Sequence, residues 1–261
     1  MRFAIPTLAL LLLAAPASGQ SIWIDRETPN ALMLEILKPS FDAVDEDFGT
    51  TTWLLTGRFG VARRVAIAAA LQLANIEAGG SSSTTVGNPY LGLEFGPAQQ
   101  GFSGELGINF PTASENDDLA ASLSGVLTDV DRWESFFPSI VPVTAAANYR
   151  HVSADGLLVR GRLGSALWIP EHDGDAEMFL LHGLWLGYVG RSARVAGGWS
   201  GRTLLTDEGV FGPDNVYHQL SVVADFGPWQ VRPGVSVRFP LNDDLDNIVG
   251  ATFGIHMNAR L

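Results

Sequence analysis

The chain has 261 residues, a net charge of −12, no cysteine and one lysine, Lys38, among its 16 basic residues. The acidic balance argues against nucleic acid as a partner. The absence of cysteine excludes a disulfide framework and any thiolate metal site, as suits a chain that crosses an oxidising compartment unfolded.

The N-terminus has the three-part layout of a secretory signal peptide: Met1-Arg2, the apolar run Leu8 to Ala15, then Ala17-Ser18-Gly19. Residues 1–19 are therefore set apart from the fold, and residues 20–30 read as a short periplasmic lead-in. No other stretch approaches the roughly 18 uncharged apolar residues of a membrane helix. An exported chain of this kind, if integral to a membrane, must close into a barrel.

Strands are predicted from Ala31 onward, at 31–41, 51–61, 65–75, 87–96, 102–110, 140–150, 157–169, 177–188, 193–202, 216–226, 229–240 and 250–261. The last is the clearest, because Phe253, Ile255, Met257, Ala259 and Leu261 alternate with Thr252, Gly254, His256, Asn258 and Arg260. Alternation of this length is a strand with one apolar and one wet face. A run of about 9 to 11 residues is also what crosses a bilayer at a tilt.

Short and long connections alternate between these strands. The short ones are 61–64, 97–101, 151–156, about 190–192 and 227–228; the long ones are 42–50, 76–86, 111–139, 170–176, 203–215 and 241–249. That is the asymmetry of short periplasmic turns and longer extracellular loops. The long connections collect acids, including Asp45, Glu46, Asp47, Glu115, Asp117, Asp118, Asp129, Asp131, Glu171, Asp173, Asp175, Asp207, Glu208, Asp243 and Asp244. The predicted architecture is all-β: a single antiparallel transmembrane barrel over 31–261, of about twelve strands, under an acidic crown. The connection 111–139 is long enough to fold inward or to carry a helix around Asp118 to Leu127.

Apolar parity assigns the two faces of the wall. Trp53, Leu55, Leu71, Leu93, Phe102, Leu163, Phe179, Trp185, Trp199 and Leu220 are predicted to face lipid, with Trp53, Tyr149, Trp199, Trp229 and Phe239 near strand ends as aromatic girdles. The opposite parity holds Arg58, Glu94, Glu105, Arg150, Arg160, Arg162, Arg194, Arg202, Arg232, Arg238, His256 and Arg260. These are the expected lumen-lining residues. Arginine outnumbers acid among them, which favours anionic or carboxylated solutes. Two readings compete: a passive channel for such solutes, or a plugged structural or surface-binding barrel that works through its acidic loops.

Two stretches, Val86-Gly87-Asn88-Pro89-Tyr90-Leu91-Gly92-Leu93-Glu94-Phe95 and Leu106-Gly107-Ile108-Asn109-Phe110-Pro111-Thr112-Ala113, resemble the transporter-like outer-membrane barrels linked to the meta-pathway of phenol degradation. The resemblance implies a bacterial outer-membrane location. Expected partners are outer-membrane lipid and lipopolysaccharide, a small-molecule solute and, during biogenesis, the barrel-assembly machinery. It carries no catalytic residue, cofactor or metal. A lesser alternative is a lipid hydrolase using His151 and Ser153, a His-x-Ser pair sharing one face; this segment lies in a predicted periplasmic turn and has Ala154 where Asn normally follows the serine.

Overall fold

A computed structural model describes residues 28–41, 48–97, 99–113, 115–206, 215–227 and 230–261, the side chains of 115–119, 243 and 244 excepted. The predicted leader, most of the lead-in, Asp45, Glu46, Asp47, Asp207, Glu208 and Trp229 lie outside the described residues.

The wall begins with β1 (Ala31–Phe41), β2 (Phe48–Ala62) and β3 (Val65–Ala78). Next come β4 (Ser81–Val86), β5 (Tyr90–Phe95), β6 (Gly101–Asn109), β7 (Ile140–Val152) and β8 (Leu157–Pro170). It finishes with β9 (Glu177–Val189), β10 (Ala193–Leu204), β11 (Val216–Phe226), β12 (Val231–Pro240) and β13 (Val249–Arg260). Each pairs antiparallel with its neighbours, and β1 pairs with β13, so the sheet closes on itself. β4 and β5 share one position in the wall: β3 pairs with β4 through Leu73–Ala78 and with β5 through Val65–Ala70. The result is a closed twelve-strand barrel.

Closure through the β1–β13 pair satisfies the backbone of both terminal strands, which a lipid-facing wall requires. Leu71, Leu93, Leu163, Leu184, Val222 and Ile255 stand exposed on the outside. Among the described residues no helix is long and apolar enough to cross a membrane; the strands supply the apolar surface.

Two expectations need correcting. The connection predicted over 76–86 is not a long loop: β3 runs to Ala78 and turns at Gly79-Gly80 straight into β4. Both turn residues have φ in the left-handed region, 56° and 81°, where glycine carries no Cβ penalty. Phe179 and Trp185 face inward, not toward lipid, and Leu184, Leu186 and Tyr188 are the exposed large hydrophobic residues of β9. This strand is apolar on both faces, so alternation carries no parity; Trp185 is buried against Gly183 and Gly198 of the wall, and Phe179 against the contents of the barrel.

Those contents come from the long connection between β6 and β7. It forms a helix, α1 (Glu115–Thr128), followed by a 3-10 turn, Val130–Ser135. The Asp129 side chain caps the 3-10 turn by accepting from the Asp131 N–H at 3.1 Å. The segment folds into the lumen. Val126, Val130, Trp133 and Phe136 make one buried cluster with wall residues Leu37, Leu54, Ala74, Ile140, Ala166, Trp168 and Phe179. Phe136 lies flat against Gly125, where a Cβ would overlap its ring. We call residues 110–139 the plug.

Candidate functional site

The 3-10 turn carries Asp129, Asp131, Arg132 and Glu134 to the middle of the barrel, where they meet polar side chains of five wall strands. Glu134 receives both arms of the Arg202 guanidinium, Nη1 to Oε1 at 2.8 Å and Nη2 to Oε2 at 3.1 Å, and the Trp168 indole N–H at 3.3 Å. This two-armed fork is the strong, direction-specific way to hold a carboxylate. Arg202 is 1% exposed, and its guanidinium lies 5.0 Å from the Trp133 ring and 5.7 Å from that of Phe179.

Arg132 of the plug pairs with Glu35 of β1 at 2.7 Å, and Arg238 of β12 pairs with the other oxygen of Glu35, also at 2.7 Å. Arg238 reaches Asp129 as well, at 3.5 Å. Gln219 of β11 donates to Asp129 at 2.9 Å and to Asp131 at 2.8 Å, and the Ser200 hydroxyl donates to Asp131 at 2.7 Å. Burial, together with the adjacent Asp129 carboxylate, pushes the Asp131 carboxyl up to about 6.

The remaining predicted residues form separate groups along the wall. Arg58 pairs with Glu94 at 2.5 Å and donates to the carbonyls of Thr28 and Pro29, fastening the lead-in to the turn end of the barrel. Glu105 takes Arg162 at 2.8 Å and the Tyr90 hydroxyl. Arg194 and His256 both meet Asp225, at 2.6 and 2.8 Å. Arg150 donates to the Gln99 carbonyl at 2.9 Å. The Arg160 guanidinium stands 5.6 Å from the Trp185 ring. Arg232 is buried, and Arg260 lies partly buried at the turn end of β13.

Asp129 and Asp131 are therefore not part of an outer crown. They lie inside, and with Glu134, Glu35 and Asp225 they make interior acid far more plentiful than parity suggested. Asp225 shares the parity of Gln219 and was legible on that ground. Glu35 was not, because Leu32, Leu34 and Ile36 on one face of β1 are matched by Ala31, Met33 and Leu37 on the other. The run Asp129-Val-Asp-Arg-Trp-Glu134, charged and apolar in turn within a loop, is the signal that this connection is buried on all sides.

Beneath the plug lies a cavity of about 80 Å³. Arg160, Arg194, Arg238 and His256 line it together with Met33, Leu158, Trp185, Glu35 and Asp131. As for the His-x-Ser pair, the Ser153 hydroxyl accepts the Leu157 N–H at 3.0 Å within the β7–β8 turn, and among the described residues no hydrogen bond joins it to His151. That serine shapes a turn.

No protein-family model matches the chain, and no curated protein does. Solved structures do match. An outer membrane channel from Pseudomonas putida F1 aligns with a TM-score of 0.58 at 12% identity, over 94% of this chain and 98% of that one. The NanC porin aligns at 0.55 and 8% identity, over 87% and 100%. LpxR from Salmonella typhimurium aligns at 0.52 and 8% identity, over 88% and 100%. At such identities the likeness is one of fold, and the fold is that of outer-membrane β-barrels.

Proposed function

We propose that the protein is a passive channel of the bacterial outer membrane for small anionic solutes, closed at rest by its own plug. The observation that carries this reading is the Arg202–Glu134 fork. The wall supplies guanidinium groups and the plug supplies carboxylates to meet them, so the plug occupies the lumen as a tethered anion. A solute carboxylate offers the same chemistry. Once Glu134, Asp129 and Asp131 withdraw, Arg202 and Arg238 are left facing an aqueous path that continues past Arg160 and Arg194.

An apolar outer face on a closed barrel supports the membrane location, and the two stretches resembling transporter-like barrels of phenol degradation agree with a role in solute uptake. In this orientation the short turns and both termini lie in the periplasm. Lipopolysaccharide surrounds the loop end, and the assembly machinery meets the alternating terminal strand.

A second reading is favoured by one observation. The cavity under the plug, about 80 Å³, is small for a solute path, as it would be in a permanently plugged structural barrel. Flux separates the two. Liposomes carrying the protein should pass a small carboxylate faster than a neutral solute of the same size, and the preference should fall several-fold in Arg160→Ala. Equal, negligible flux of both solutes in wild type and variant would favour the structural barrel.

A further inference from the structure

Besides the polar contacts of its 3-10 turn with the wall, the plug is fastened at its two limbs by one buried side chain. β4 pairs with β3 alone, and the β5–β6 ladder ends at the Tyr90–Asn109 pair, so the wall is notched above Asn109. The plug enters the lumen through this notch along residues 110–113 and leaves it along 135–139. Asn88, 0% exposed, sits in the break between β4 and β5 and touches both limbs.

Its carboxamide makes four hydrogen bonds. Nδ2 donates to the carbonyls of Glu134 at 3.0 Å and Phe137 at 2.8 Å on the outgoing limb. Oδ1 accepts the N–H groups of Thr112 and Ala113, each at 2.9 Å, on the incoming limb. Two carbonyls on one side and two N–H groups on the other fix the orientation of the amide. The Asn88 N–H also donates to the Ser135 carbonyl at 2.6 Å, and its own carbonyl accepts from the Asn109 side chain at 3.0 Å. Thr112 closes the strap by donating its hydroxyl to the Gly87 carbonyl at 2.6 Å. Gly87 is required for the approach, since a Cβ there would overlap the Ser135 carbonyl oxygen and the Phe136 ring.

We propose that Asn88 is the positioning residue of the plug: a single side chain that ties its two limbs to each other and to the wall and so sets the closed position. This rests on the reading of the plug as the closing element. It also gives a common purpose to the two stretches singled out in the sequence, because Gly87-Asn88 belongs to one and Asn109 to Ala113 to the other. Only a primary carboxamide on this stem serves. Aspartate keeps the acceptors but loses both donors, and alanine takes this partner from two buried groups, the Glu134 carbonyl and the Ala113 N–H, and from two part-buried ones, the Phe137 carbonyl and the Thr112 N–H.

Trypsin reports the position of the plug directly, because the Arg132–Trp133 bond lies inside the barrel and Arg132 is buried. In detergent-folded full-length protein, Asn88→Ala should speed cleavage after Arg132 by at least about tenfold, the effect of losing little more than one net hydrogen bond. Migration of the unheated barrel on an SDS gel should stay that of wild type, which a general folding role would not allow. Thr112→Val, a milder loosening of the same strap, should speed the cut less, and it serves if Asn88→Ala does not fold. Wild-type protection of Arg132 in whichever variant gives an intact barrel would overturn the proposal. Cleavage without any gain in solute flux would leave Asn88 in its role and remove the channel reading alone.

Discussion

Arg202 and Glu134 form the pair whose removal is felt most, because both are buried and each meets the other's charge. Glu134→Ala strands a guanidinium in the interior, a loss of about 3–5 kcal/mol for a buried pair broken on one side. Replacing both, as Glu134→Leu with Arg202→Met, removes the unpaired charge and should recover most of that loss. Urea unfolding in detergent checks both; a Glu134→Ala barrel as resistant as wild type would show that the fork holds nothing. At this scale the sequence was readable wherever alternation was clean. Arg58, Arg202 and Arg238 took their parity from apolar neighbours on alternate positions. Phe179 and Trp185 did not, because β9 is apolar on both faces and only the plug packed against it decides which face is inside.

At the scale of the element, the plug is held by four acids, Glu35, Asp129, Asp131 and Glu134, against three arginines, Arg132, Arg202 and Arg238. The raised carboxyl of Asp131 expresses that excess. Its value in the seated plug, about 6, lies above the value of about 3.9 for a solvated aspartate. Between these values the seated plug holds a proton that the released plug gives up, so seating is strongest below about pH 4 and weakens as pH rises toward 6. Above that it stays level. Tryptic exposure of Arg132 and solute flux should both rise over this window, and Asp131→Asn, which needs no proton to be neutral, should flatten the rise. A profile unchanged by the substitution, or one falling with pH, would contradict the assignment. The plug was only half legible in the sequence: a connection of this length could be expected to turn inward, with a helix near Asp118 to Leu127. Its partners were not, since Glu134 finds Arg202 68 residues further on, Asp129 finds Arg238 on β12, and Arg132 finds Glu35 far back on β1.

For the whole molecule, strand number, closure and the division between outer and inner faces follow from a two-residue period that most strands display, β1, β4 and β9 excepted. What periodicity does not encode is what fills the space it encloses. A barrel of twelve strands leaves an interior wider than its own side chains fill, and this chain fills it with residues 110–139. The claim that this filling is a removable closure is tested most directly by single-channel recording in a planar bilayer. Wild type is to be compared with a variant in which residues 114–136 are replaced by a short Gly-Ser linker and whose barrel migrates as folded on an unheated gel. Wild type should conduct in brief, small steps, and the variant should form steady, larger, anion-selective channels. A folded variant that conducts no more than wild type, or one that conducts without preference for anions, would contradict this.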